Sequence, residues 1–166
     1  MENRELEVLF LDKIKELDNK YQVVLFEDLS KVNGKLKIPR VVCRTISNRV
    51  IHRYDSQRED KDKVAVFYQT NINKHMISFS FVGRPFQEVA KIRNFFTNIV
   101  AVQWWKMRNK LDFVIEEVGE LKNITENTSN DTIERYVMDI TVRTKTKIQT
   151  EIEIIKKVEF DVKGGK

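Results

Sequence analysis

Two histidines, one cysteine and a scatter of carboxylates are the residues of this chain with the most reactive side chains. His52 and His75 stand alone, with no HExxH and no His–Cys cluster, so a zinc site has no ligand set to build on. Each reads as an ordinary surface or turn histidine. Cys43 lies in an alternating apolar segment and reads as a small buried hydrophobe. A lone cysteine cannot form an internal disulfide, which points to reducing or redox-indifferent surroundings. Asp112, Glu116, Glu117 and Asp139 could be gathered into a carboxylate metal set. Strand alternation, however, puts Asp112 and Asp139 on outward faces, where solvated charge is the usual role. No GxGxxG, GxxxxGK[ST] or GxSxG occurs, so a phosphate cradle and a nucleophile elbow are both missing. These residues imply no enzyme, no cofactor and no metal.

Aromatic and basic residues offer more. Trp104 and Trp105 are adjacent on an expected helix and point about 100° apart, so one sheet cannot bury both rings. One ring belongs to the core; the other sits at a domain edge or anchors an interface, where Trp is enriched. Lys106, Arg108 and Lys110 follow directly. Basic plus aromatic residues also fit single-stranded nucleic acid, but here the aromatics fall at helical core spacing and the RNP-type strand pattern is absent. Charge is segregated along the chain. Residues 74–110 hold seven basic residues and one acid, and residues 39–63 hold seven basic and four acidic residues, whereas 1–38 and 111–166 balance negative. Such segregation suits head-to-tail self-association as well as nucleic acid.

The elements that must position these groups follow from periodicity. Residues 2–18 carry Leu6, Leu9, Phe10, Ile14 and Leu17 at helical spacing. Tyr21 to Phe26 reads as a strand, and Arg40 to Ser47, opened by Pro39, as a second. Asn48 to Lys63 reads as a sixteen-residue connection without regular structure, a length often tied to function. Val64 to Thr70 and His75 to Val82 read as a hairpin turning at Asn71–Lys74. A helix is expected from Pro85 to Met107, a strand over Leu111 to Val118, and a polar loop over Gly119 to Asn130. From Asp131 to Val162 the pattern predicts one long hairpin. Tyr136, Met138, Ile140 and Val142 would share the apolar face, and a turn at Thr144–Lys147 would pair Val142 with Thr150 and Ile140 with Ile152. On the charged face Thr141 would meet Glu151 and Asp139 would meet Glu153. The order predicts an α+β fold: a mostly antiparallel or mixed sheet, two helices packed on it and a long C-terminal β-hairpin.

At 166 residues the chain fits a single domain over 1–166, with 48–63 and the tail 163–166 expected to be flexible. A chain this long buries roughly 70% of its unfolded surface, enough for a core without staples. The first residues, MENRELEVLF, are unlike a signal peptide. No stretch approaches the roughly 18 apolar residues of a membrane span.

The segment ERYVMDITVRTKTKIQTEIEIIKKVEFDV (Glu134 to Val162) resembles the C-terminal hairpin of phage neck and tail terminator proteins. The order before it is similar to that family too: an N-terminal helix, the Ile38–Pro39 step, "FSFVGRPFQEVAKIRNFF", then "LDFVIEEVGEL" and a polar loop. The family's Glu-Arg … Asp-Ile/Val step matches Glu134, Arg135, Asp139 and Ile140. The resemblance covers about Ile38 to Val162 and implies a virion structural protein. It implies a hexameric ring that caps the head-proximal end of the tail tube, stops polymerisation and offers a platform to the neck or head connector. The implied partners are further copies of the chain, the tail tube protein, the tail sheath and neck or connector proteins, with DNA only passing through the lumen and no membrane. Assembly would take place in the bacterial host cytoplasm. A head-closure or adaptor ring remains the close alternative, and a nucleic-acid module using the basic helix 85–110 is an alternative of another class.

Three patches are expected to make subunit contacts. The first is the 48–63 segment through Arg49, Arg53, Tyr54 and Arg58. The second is Trp105 with Arg108. The third is the charged face of the C-terminal ribbon, with Arg135, Asp139, Arg143, Glu151 and Glu153.

Overall fold

The computed structural model describes residues 3–31, 38–61, 64–98, 113–127 and 132–153. Helix α1 (Asn3–Leu17) forms where the apolar spacing predicts it and buries Leu6, Phe10, Leu11 and Ile14. Strand β1 (Gln22–Leu25) follows, then a 3-10 turn (Phe26–Lys31). Two long strands come next, β2 (Arg40–Lys61) and β3 (Val64–Val82), and then helix α2 (Phe86–Thr97). Strand β4 (Phe113–Val118) and three two-residue strands, β5 (Lys122–Asn123), β6 (Glu126–Asn127) and β7 (Thr132–Ile133), lead to β8 (Arg135–Glu153).

The main sheet runs β1-β2-β3-β8-β4, with β5 also on β8, while β6 and β7 pair separately. Only β1–β2 is parallel. A mixed sheet carrying two helices is the α+β class that the sequence predicts. Alternation sets the inner face: Val41 and Cys43 of β2, Ile77, Phe79 and Phe81 of β3, and Tyr136, Met138, Ile140 and Val142 of β8 are all buried. Helices α1 and α2 close over them with Phe10, Ile14, Val89, Ile92 and Phe96 in one cluster. Burial also pushes the Cys43 thiol well above its usual pKa, so it stays protonated and inert.

Strand lengths are where structure and sequence part. Residues 48–61, expected as a loop, continue β2. The expected turn at Asn71–Lys74 is absent, and β3 runs unbroken. The expected turn at Thr144–Lys147 is absent too. The ribbon is antiparallel and amphipathic, but the partner of residues 135–153 is β3. Val142 lies opposite His75, Ile140 opposite Ile77 and Met138 opposite Phe79, so the register of Val142 on Thr150 and Ile140 on Ile152 is corrected. The physical reason is that polar residues pair across the strands. The two polar stretches that looked like turns lie side by side, Asn71 opposite Thr146 and Asn73 opposite Thr144. Asn73 Nδ2 donates to Thr146 Oγ1 at 2.9 Å. Paired with each other, these residues need no solvent-facing bend. Helix α2 ends early, since Asn98 is extended (φ −80°, ψ 137°). Residues 99–112, with both tryptophans, lie outside the described residues, as do 154–162 of the expected hairpin and the tail 163–166.

β1 accompanies β2 only as far as Cys43, and β4 meets β8 only from Thr144 back toward Ile140. Beyond those points β2, β3 and β8 go on together as a three-stranded arm. Its central strand, from Val64 to Ile72, is roughly 27 Å long at about 3.3 Å per residue. Among the described residues, the outer edges of β2 and β8 along this arm have no strand beside them.

The arm is tied to α1 at its root. His75 is buried, with Nδ1 3.0 Å from Asn3 Oδ1 and Nε2 2.8 Å from Thr144 Oγ1. Burial holds its imidazole below the usual 6.5, so the folded chain favours the neutral ring. The stability this group contributes is therefore complete above pH 6.5 and is lost as pH falls below it. Urea midpoints should fall as pH drops below about 6.5 in the native sequence, and His75→Gln should flatten that slope. An equal slope in the variant would remove His75 as its source.

Candidate functional site

The expected contact residues fall on two parts of the sheet. Arg49, Arg53 and Tyr54 are exposed along β2 of the arm, and Arg58 continues the same strand. The expectation of a loop here is replaced by a paired strand that carries the same residues. Three register shifts interrupt β2, between Thr45 and Ser47, Val50 and His52, and Tyr54 and Gln57, whereas β3 opposite is regular. Ile46 and Ile51 are the inserted residues of the first two bulges and stand 56% and 38% exposed. Val50 and Tyr54 are exposed beside them. Bulges and arginines blunt an edge against indiscriminate strand pairing. Here they leave exposed apolar residues interspersed with cations along the edge strand.

The charged face of β8 is assembled differently from the expectation. Thr141 lies opposite Met76 and Glu117, and Asp139 lies opposite Ser78. Glu151 is opposite Val66 and Glu153 opposite Val64, far along the arm, so the pairs Thr141–Glu151 and Asp139–Glu153 do not form. Several of these charges have partners within the subunit. Arg135 is half-buried and donates from Nε to Ser80 Oγ at 3.2 Å. Asp139 lies 3.8 Å from Lys122 Nζ. Arg143 pairs with Glu116, which Lys74 also reaches at 3.2 Å. Hydrogen bonds from Arg143 and then Lys74 hold the Glu116 carboxyl below its usual range. Glu151 accepts from Gln149 Nε2 at 2.9 Å. Trp105 and Arg108 lie outside the described residues.

The basic helix offered as a nucleic-acid surface is shorter than expected. In its described part Lys91 pairs with Glu88 at 2.9 Å, and Arg93 donates to the Gly119 carbonyl at 2.8 Å. Reactive chemistry is sparse. Among the described residues no three His, Cys, Asp or Glu side chains come close enough to hold a metal ion. Asp112 of the carboxylate set lies outside them, and Glu116 is bound to two cations. No described helix is long and apolar enough to cross a membrane.

On the far side of β8, strands β4 and β5 carry acid. Glu116, Glu117 and Glu120 follow one another closely in sequence there, near exposed Val114, while Lys122 of β5 and exposed Ile124 lie farther along β8. The sheet thus has one basic, apolar edge and one acidic edge.

Sequence comparison agrees with this surface-dominated architecture. A family model described as phage neck terminator protein matches residues 11–166. The chain belongs to that family. Among curated proteins none matches. A phage neck terminator is a structural protein of the virion, located at the tail or neck, where it meets other tail and head proteins. Sequence reasoning found the arginines of β2 but missed Ile46 and Ile51, because bulges break the period-2 signal that would expose them. It also missed that Lys145 and Lys147 share the parity of Arg143, a signal plainly present in Arg143-Thr-Lys-Thr-Lys147.

Proposed function

We propose that this neck terminator is a single-domain subunit of a closed, six-membered ring, assembled in the host cytoplasm. The ring caps the head-proximal end of the tail tube, halts tube polymerisation and presents a platform to the neck or head connector. The observation that carries the reading is the arm with its unlike flanks. In a ring each subunit uses one surface to meet a different surface of its neighbour. The β2 flank, with Ile46, Val50, Ile51 and Tyr54 set among Arg49 and Arg53, complements Val114, Ile124, Glu117 and Glu120 on the β4–β5 flank in both charge and polarity. One ring face then mates with the tube, and with the sheath where there is one; the opposite face does not repeat the tube's mating surface, and growth ends.

Mass measurement of the purified chain should find six-fold rings at high concentration. R49E/R53E should shift the population toward monomer, and adding E117K/E120K in the same chain should restore rings. A chain that stays monomeric and is absent from mature particles would overturn the reading. Tails made without the gene should have uncontrolled length. A head-closure ring would instead leave tail length normal and appear on the capsid side in particle images.

A further inference from the structure

We propose that the outer face of the arm root binds the backbone of duplex DNA, gripping phosphate through Arg49, Lys74, Arg143, Lys145 and Lys147. This goes beyond the ring reading and does not depend on it.

Register puts these side chains on one side. Arg143, Lys145 and Lys147 alternate along β8, so they project from the same face at intervals of roughly 6.7 Å. Lys74 lies opposite Arg143, and Arg49 lies opposite Lys74 on the other neighbour. The shared bond of Lys74 and Arg143 to Glu116 confirms that both face the same way. Arg49–Lys74–Arg143 is therefore a row of three cations across three strands. The next row is His52–Ile72–Lys145, and the one after is Tyr54–Thr70–Lys147. His52 and Tyr54 pack edge to face, 4.6 Å between centroids, at the margin.

Like charges directly opposite in a sheet are destabilising. Glu116 relieves part of that repulsion. Glu117, opposite Thr141, lies on the same face, and five cations against two carboxylates still leave it positive. Lys145 and Lys147 are exposed and have no ion pair among the described residues. A bound polyanion would remove the remaining repulsion and release condensed counterions from the nucleic acid. The composition favours DNA over an acidic protein. Lysine is depleted in protein interfaces, which need apolar anchors at their centre. The apolar residues on this face, Val114 opposite Arg143 and Ile72 opposite Lys145, are scattered singly among the cations and form no continuous patch.

The test uses the full chain with a fluorescently labelled mixed-sequence duplex, titrated at several salt concentrations and read by anisotropy. Binding should weaken steeply with salt. K145Q/K147Q should lower the log–log salt slope by about 1.8 and weaken binding by about tenfold or more at low salt. The control pair K15Q/K20Q, on and just after α1, should leave both unchanged. Absent or salt-insensitive binding overturns the proposal, as does an equal loss in the control. Mass measurement of the same variants separates the two readings. If K145Q/K147Q dissolves rings but keeps DNA binding, the face is a subunit contact and the proposal fails. If the chain never forms rings yet binds DNA with the expected slope, the ring reading fails and this one stands.

Discussion

Phe10→Ala is expected to destabilise the fold by about 3–5 kcal/mol, the usual cost of deleting a fully buried Phe side chain. Phe10 is 0% exposed and sits where four elements meet. Its ring lies 5.8 Å from Phe79 of β3, 5.5 Å from Phe96 of α2 and 6.3 Å from Phe113 of β4, all tilted. Truncation would open a void bordered by three rings on separate elements, none of which can collapse into it without moving its neighbours. Against a typical total stability of about 5–15 kcal/mol, that loss removes a large part of the margin. Urea unfolding should show a lower midpoint with an unchanged slope. Phe10→Leu, which keeps most of the volume, should recover more than half of the loss. A shift below about 1 kcal/mol for the alanine variant would mean that the four elements do not share this centre.

Gly83→Ala should cost about 2–6 kcal/mol through two separable effects. Gly83 has φ +79°, a region that residues with a Cβ occupy at a cost of about 1–3 kcal/mol. A Cβ there would also lie 1.8 Å from Ile38 Cγ2, which forces overpacking worth about 1–3 kcal/mol more. The position cannot easily yield. The Gly83 amide donates to the Glu134 carbonyl at 2.8 Å, and Pro85 begins α2 two residues on. Ile38 is half exposed, so Ile38→Ala alone should cost little. Combined with Gly83→Ala it should return the steric part and leave the backbone part, a coupling of about 1–3 kcal/mol by double-mutant cycle on urea midpoints. Strict additivity of the two substitutions would show that the side chains do not meet.

How far the sequence speaks for this fold depends on which signal each segment carries. Helix α1 and the inner faces of β3 and β8 were readable because burial on one side imposes a period, 3.6 for Leu6, Phe10 and Ile14 and 2 for Tyr136, Met138, Ile140 and Val142. The arm was not, because it leaves the helices behind and no single face of it is buried throughout. Over 69–74 and 143–147 its residues are largely polar, and polarity in a sequence resembles a turn. Asn71, Asn73, Thr144 and Thr146 show the ambiguity most clearly. Each favours turns alone, yet inside the ladder Asn73 bonds Thr146 and Thr144 bonds His75, relations between residues about 70 positions apart. The same holds for contact residues. Arg49 and Arg53 drew notice as members of a long charged segment, but their direction outward is a property of the strand pairing.

β3 is continuous from the far end of the arm to Gly83, hydrogen-bonded to β2 on one side and β8 on the other. A pull along the arm is therefore borne in shear: many inter-strand bonds share the tension at once, and none can be peeled open singly. The same force enters the body between two neighbours and spreads beneath both helices before it reaches a turn. Such an element is stiff lengthwise and compliant only in twist, the mechanical character of a strut between parts that must hold their spacing under load.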